Sequence, residues 1–323
     1  MITYDDPLHL PTQRLILKYE LNQSVTFEKH DAQLRLAGAF GRTVWEKCAI
    51  EARFCERHKT QTEPKCQNGV NCLTHWLYKP FSEIHRRDFA RPIFLFSPTF
   101  AQPHEPTQTF DLEVTLWGRH AIAAQSHVLD IIDKMGKIGL RCEDKNIPFK
   151  VVDYQSGLVL TIKDQLAYYV DLERIKIHFL TPLWFAKRDG SDSYRRRYYS
   201  VYEDELPLRD ILANLGYEWA AWDIEDRQLP VDQPTWHRRA CEWRDAARAA
   251  ADGLQIVEAE LHQIDWGERQ SRRNQHCYPL QGLMGYAQLG GDLKPALPYL
   301  IALSQAGGGQ KRAQGFGVVR LST

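Results

Sequence analysis

Alternating and helically spaced apolar positions predict the elements of the first half of the chain. Residues 14–21 place Leu15, Leu17, Tyr19 and Leu21 on one side, which predicts a half-buried strand. Apolar residues at helical spacing then predict a helix that begins at Asp31 and ends near Cys48. The pattern further predicts a strand over 110–116, a helix over 121–135, and a hairpin formed by 147–154 and 158–162 around Gln155-Ser156-Gly157.

The second half repeats this plan. It predicts strands over 174–180, 254–266 and 317–321, and helices near 206–215, 236–251 and 293–303. A doubled βαββαβ pattern predicts an α+β protein made of two tandem ferredoxin-like (RRM-like) domains. We expect these domains at 1–170 and 171–323, with an Arg-rich helical insert at about 205–253 that is long enough to project as a finger.

Five glycines surround a Lys-Arg pair in the last predicted loop, 307–317. They are Gly307, Gly308, Gly309, Gly315 and Gly317, with Lys311 and Arg312 between them. Such a backbone can approach a ligand closely and direct N–H groups at anionic oxygens. The order helix, glycines, strand is the reverse of a nucleotide-binding P-loop, so ATPase and dinucleotide-binding functions are excluded. Two interpretations stay open: a loop that follows an RNA backbone, and a glycine-rich connection without a ligand.

The order of several motifs resembles one family. The glycine-rich end is similar to the C-terminal signature of the RAMP superfamily, in particular the CRISPR precursor-RNA processing endoribonucleases, the Cas six family. The strand 174–180 before Thr181-Pro182-Leu183 and the run 266–285 agree in the same order. Cys55, Cys66, Cys72 and Tyr78 resemble the cysteine-bearing branch of the family.

The resemblance implies an activity and partners. It implies an endoribonuclease that cleaves CRISPR repeat RNA by attack of the 2′-hydroxyl, leaves a 2′,3′-cyclic phosphate, and stays bound to its product. The implied partners are this RNA and other Cas subunits of an interference complex. A non-catalytic RNA-binding RAMP subunit is the alternative, and a zinc-stabilised protein-interaction module is a third interpretation.

The resemblance also implies that catalytic groups lie in or beside the first helix. His30 directly precedes that helix, and Arg35 and Arg42 are seven residues apart and share one face. We predict that His30 acts as general base or acid, that Arg35 and Arg42 bind the scissile phosphate, and that Lys47 is a reserve. The sequence has no compact acidic group suited to two Mg²⁺ ions, so we expect no cofactor for catalysis.

Basic residues are clustered although the chain has no net charge, with 41 basic and 41 acidic residues. RNA contacts therefore need local patches. The candidate RNA-binding arginines are Arg195, Arg196, Arg197, Arg238, Arg239, Arg244, Arg272 and Arg273. Arginine beside tyrosine suits RNA, because guanidinium groups bind phosphates while rings stack on bases; an ordinary solvated face is the alternative.

Four cysteines fall between the first helix and the next predicted strand, in a loop-like stretch at 48–80. These are Cys48, Cys55, Cys66 and Cys72. Four thiolates can hold a structural Zn²⁺, and cysteines packed as small apolar side chains are the alternative. The sequence shows neither a secretion signal nor a membrane span, so we expect a cytoplasmic protein without a membrane partner.

Overall fold

The structure is a computed structural model of the 323-residue chain. It describes residues 7–26, 31–47, 81–82, 87–88, 92–101, 106–142, 145–184, 206–226, 232–270, 277–309 and 316–323. The chain divides into two compact units. The N-terminal unit comprises 11–159 and 225–233, and the C-terminal unit comprises 1–10, 160–224 and 234–323.

The N-terminal unit has a ferredoxin-like sheet. Its strands are β1 (Pro11–Val25), β2 (Phe81–Ser82), β3 (Arg87–Asp88), β4 (Ile93–Phe96), β5 (Thr107–Trp117), β6 (Leu140–Cys142), β7 (Lys145–Ile147) and β8 (Phe149–Thr161). Its helices are α1 (Asp31–Lys47), α2 (Pro98–Ala101), α3 (Gly118–Ala123) and α4 (Gln125–Ile138). The main sheet has the order β4-β5-β1-β8, so β1, α1, β4, β5, α4 and β8 form the predicted βαββαβ unit.

The core of this unit lies between one face of the sheet and the helices. Leu15, Leu17, Tyr19 and Leu21 alternate inward along β1, as their spacing predicted. The Tyr19 ring stacks on Phe110 of β5 with centroids 4.9 Å apart. Leu36, Phe40 and Val44 of α1, and Val128, Ile131 and Met135 of α4, belong to the same apolar cluster.

The C-terminal unit repeats this arrangement. After a short 3₁₀ turn at Pro7–His9 and α5 (Ile162–Leu166), its elements are β9 (Ile175–Leu183), α6 (Leu208–Asp226), α7 (Gln233–Asp252), β10 (Leu254–Gln270), β11 (Cys277–Gly291), α8 (Leu297–Ala306) and β12 (Val319–Ser322). The sheet order β10-β11-β9-β12 is equivalent to that of the first unit. The predicted fold class, tandem ferredoxin-like domains with a helical insertion in the second, is therefore confirmed.

The hairpin predicted around Gln155-Ser156-Gly157 is wrong, because β8 is one continuous strand. The Gln13 side-chain amide donates to the Ser156 hydroxyl at 3.0 Å and to the Gly157 carbonyl at 3.2 Å. Gly157 also packs closely against the backbone of Arg14 in β1. These contacts hold the predicted turn residues, Gln155-Ser156-Gly157, in an extended conformation along β1.

Most of the helical insert packs within the C-terminal unit, whereas residues 225–233 belong to the N-terminal unit, so the described part of the insert is not a projecting finger. Trp219 of α6 is fully buried, with its ring 5.4 Å from that of Trp243 in α7 and 5.8 Å from that of Tyr299 in α8. The boundary between units also lies near residue 160 and not near 170. Ile162 of α5 is buried in the C-terminal unit, and the side chains of Gln165 and Gln305 share a hydrogen bond there.

Candidate functional site

The two ends of the glycine-rich loop are closed by backbone hydrogen bonds. The Gly308 N–H donates to the Gly317 carbonyl at 2.7 Å, and the Gly317 N–H donates to the Pro182 carbonyl of β9 at 2.9 Å. The Gly307 N–H completes α8 by donating to Leu303 at 2.9 Å. The sequence had suggested that N–H groups of this loop bind a phosphate. These three N–H groups already have acceptors within the protein, so they are not available for that role.

The described glycines are therefore the base of the loop. Gly307, Gly308, Gly309 and Gly317 are all buried. Lys311, Arg312 and Gly315, which were predicted to bind RNA, lie outside the described residues. If the loop contacts RNA, the contact has to come from side chains or N–H groups other than the three that are bonded within the protein.

The exposed face of α1 carries the described part of the predicted catalytic set. Leu36, Phe40 and Val44 point to the core, which leaves Arg35 and Arg42 on the other side of the helix. Arg35 is half-buried and its guanidinium donates to the carbonyl of Arg141, whereas Arg42 is exposed. His30 and the side chain of Lys47 lie outside the described residues.

Gly38 is a residue of this face that the sequence reasoning missed. It lies three residues after Arg35 and four before Arg42, so all three share one line along the helix. A Cβ placed on Gly38 would have no atom within 4 Å. Packing therefore does not require glycine here, although glycine costs about 1 kcal/mol relative to alanine inside a helix. A glycine in the middle of a predicted amphipathic helix is unfavourable for the helix, and this was the signal in the sequence that could have identified Gly38.

The arginines of α7 lie beside carboxylates. Arg238 Nε is 3.9 Å from Glu242 Oε1, and Arg244 Nε donates to Asp245 Oδ1 at 2.9 Å. This hydrogen bond raises the pKa of the Arg244 guanidinium. Arg239 is half-buried on the same helix. An RNA phosphate would have to compete with these neighbouring carboxylates, whereas Arg195, Arg196, Arg197, Arg272 and Arg273 lie outside the described residues.

The predicted zinc ligands, Cys48, Cys55, Cys66 and Cys72, all lie outside the described residues, so the zinc site stays a prediction. Cys142 packs against the N-terminal core, and Cys241 Sγ is 3.6 Å from His237 Nε2. Within the described ranges, no three His, Cys, Asp or Glu side chains are grouped so as to hold a metal ion. No helix in those ranges is both long and apolar enough to cross a membrane.

One histidine–carboxylate pair joins residues that are far apart in sequence. The buried Asp226 carboxylate accepts from the backbone N–H groups of Arg119 at 2.9 Å and His120 at 3.1 Å. The His120 ring nitrogen Nδ1 is 3.2 Å from Asp226 Oδ1. The carboxylate thus caps the first turn of α3, which is a structural role. The sequence offered no signal for it, because 106 residues separate the partners.

Comparisons with solved structures identify proteins of the same fold. A Thermus thermophilus Cas6 in its product complex aligns at 17% identity with a TM-score of 0.54, over 97% of this chain and 99% of that one. A second Cas6 product complex aligns at 16% identity with a TM-score of 0.51, over 97% and 100%. A partial Cas6-RT-Cas1–Cas2 complex aligns at 12% identity with a TM-score of 0.51, over 97% of this chain and 46% of that one.

These likenesses establish a shared fold along nearly the whole chain. No protein-family model and no curated protein sequence matches it.

Proposed function

We propose that this chain is a Cas6-type endoribonuclease that cleaves CRISPR repeat RNA within precursor transcripts to give mature crRNA. The observation that carries the proposal is the pair of ferredoxin-like sheets, whose fold is shared over 97% of the chain with a Cas6 protein in its product complex. The exposed Arg42 and the half-buried Arg35 on α1 support it, because they lie on the helix where the resemblance puts the catalytic groups.

The proposed chemistry needs no metal ion. A general base removes the proton of the 2′-hydroxyl, and the 2′-oxygen attacks the adjacent phosphorus. The bond from phosphorus to the 5′-oxygen breaks, a general acid protonates that oxygen, and a 2′,3′-cyclic phosphate remains. We assign the proton transfer to His30 and the stabilisation of the extra negative charge to Arg35 and Arg42. Lys47 is the reserve for either role.

The proposed partners follow from the same comparisons. Two of the similar structures are product complexes, which supports RNA as the ligand and a product that stays bound. The similar Cas6-RT-Cas1–Cas2 complex supports an association with other Cas proteins. The alternative is a non-catalytic RNA-binding subunit, which shares the fold and the basic residues but lacks a working base.

Cleavage in excess EDTA distinguishes the enzyme from the alternative. The purified chain is incubated with candidate repeat RNA and with the same RNA carrying one 2′-deoxynucleotide at the cut site. We expect the all-ribose RNA to be cut and the deoxy RNA to bind but survive, because it lacks the attacking hydroxyl. Binding of both RNAs without cleavage of either would instead favour the non-catalytic subunit, and cleavage of the deoxy RNA would contradict the mechanism.

Gly38 provides a test of where the scissile phosphate lies. Gly38→Ala is expected to stabilise the protein by about 1 kcal/mol, because alanine is the better helix former and its Cβ meets open space. If the phosphate approaches α1 between Arg35 and Arg42, the leucine side chain of Gly38→Leu displaces the phosphate by about 1 Å. We then expect cleavage to slow about 100-fold. The measurements are urea unfolding and single-turnover cleavage.

The matched control for Gly38 is Ser126→Leu at an exposed position of α4. That variant adds a side chain of the same size to an exposed helix and is expected to cleave at the wild-type rate. A Gly38→Leu enzyme that cleaves as fast as the Ser126→Leu enzyme would place the phosphate elsewhere.

A further inference from the structure

One face of the C-terminal sheet carries a polar and aromatic cluster that the proposed chemistry does not use. Ile175, Ile177 and Phe179 of β9 are buried on one side, so Lys176 and His178 lie on the other. The register places His178 between Tyr286 of β11 and Arg320 of β12. It likewise places Lys176 between Gln288 and Ser322. We call Lys176, His178, Tyr286, Arg320 and Ser322 the polar sheet face.

The side chains of the polar sheet face contact one another. Lys176 Nζ lies 4.1 Å from the centroid of the Tyr286 ring, and His178 Nε2 lies 2.9 Å from the Ser322 hydroxyl. The Tyr286 hydroxyl donates to Glu258 Oε1 of β10 at 2.6 Å. This hydrogen bond raises the pKa of Tyr286 to about 12. The ring is thereby held in place on the sheet.

Charge changes sign across the four strands of this face. The cationic Lys176 and Arg320 lie on β9 and β12, while Glu258 and the register partner of Tyr286, Glu260, lie on β10. The aromatic ring lies between the two charges. A nucleotide has the complementary arrangement: a phosphate for the cations, a flat base for the ring, and exocyclic amino groups that donate to carboxylates.

We propose that the polar sheet face binds one nucleotide of single-stranded RNA, with its base against Tyr286 and its phosphate on Lys176 and Arg320. This inference rests on the proposed RNA-processing function and adds to it a contact made by the C-terminal unit. When RNA binds, the Lys176 ammonium leaves the face of the Tyr286 ring and contacts the phosphate instead. Glu258 and Glu260 favour bases that carry an amino group, so adenine is bound better than uracil.

The inference is tested on the full chain by fluorescence anisotropy with labelled hexa-adenylate and hexa-uridylate. Tyr286→Ala is expected to weaken hexa-adenylate binding about tenfold, because it removes one base-stacking contact. Tyr286→Phe keeps the ring and is expected to bind within about twofold of wild type. Lys176→Gln is expected to weaken binding and to reduce the slope of log affinity against log salt by about 1.

Tyr168→Ala is the matched control, because Tyr168 is 76% exposed in the turn after α5 and contributes to no proposed site. Thermal unfolding of each variant shows whether it is folded. As a measurement that does not depend on variants, hexa-adenylate carrying one 8-azidoadenosine is photo-cross-linked to the wild-type chain and the linked peptides are identified. We expect peptides that contain His178 or Tyr286.

The outcomes separate this inference from the function on which it rests. Tyr286→Ala binding equal to that of Tyr168→Ala, or no cross-link to β9 or β11, would overturn the inference and leave the proposed function standing. A wild-type chain that binds neither repeat RNA nor hexa-adenylate would overturn both. Equal affinity for the two hexanucleotides would overturn the role of Glu258 and Glu260.

Discussion

Replacing Gly317 by alanine is expected to destabilise the C-terminal unit by more than about 4 kcal/mol, which is exceptional for a single substitution. Gly317 has φ of 70°, a conformation that costs a residue with a Cβ roughly 1–2 kcal/mol. The new Cβ would also overlap the carbonyl of Gly308. The Gly308 N–H donates to the Gly317 carbonyl, so the two backbones cannot separate without losing a buried hydrogen bond.

Gly267→Ala is the matched control for this prediction. Gly267 has a similar φ of 83°, but a Cβ there would have no atom within 4 Å. The difference between the two variants therefore isolates the close approach of Gly317 to Gly308. Urea unfolding and hydrogen exchange of the β9 and β12 amides give the measurement. Equal stabilities of the two variants would show that the glycine-rich base is not tightly packed.

The glycine-rich motifs illustrate what the sequence could and could not predict. A run of glycines near basic residues predicted backbone N–H groups for a ligand, whereas the N–H groups of Gly307, Gly308 and Gly317 donate to carbonyls within the protein. Gly285 in the run 280–285 has φ of 118°, and a Cβ there would overlap the Glu260 carbonyl. Sequence alone does not distinguish a glycine that admits a ligand from one that admits a neighbouring strand.

The elements that the sequence predicted well are those with strong periodicity. β1, β5, β9, α1 and α7 appear where alternating or helical apolar positions predicted them. The sequence analysis missed β4 and β11 as strands, because β4 has only four residues and β11 contains four glycines and a proline. Their places in the sheets depend on β5, β9 and β10, which are contacts distant in sequence.

The candidate site shows the same limit. Spacing placed Arg35 and Arg42 on one face of α1, and the structure agrees for that helix. Spacing could not show that Arg35 donates to the carbonyl of Arg141, or that Lys176 and Tyr286 meet across two strands. Helix faces follow from local periodicity, whereas the partners of a side chain follow from the sheet register.

Replacing His30 by alanine is expected to slow cleavage of repeat RNA by about 10²- to 10⁴-fold, which is the usual contribution of general acid–base catalysis. RNA affinity is expected to stay within about twofold, because a proton-transferring imidazole contributes little to ground-state binding. Single-turnover cleavage at saturating protein gives the rate, and filter binding of the 2′-deoxy RNA gives the affinity without cleavage.

His127→Ala on the exposed surface of α4 is the control for the loss of one histidine and should cleave at the wild-type rate. Arg42→Ala should differ from both, because the loss of a phosphate contact lowers affinity and weakens its salt dependence in addition to slowing the reaction. An unchanged rate for His30→Ala would transfer the proton-transferring role to another group, with Lys47→Ala as the next variant. Loss of affinity without a change in rate would instead make His30 an RNA-binding residue.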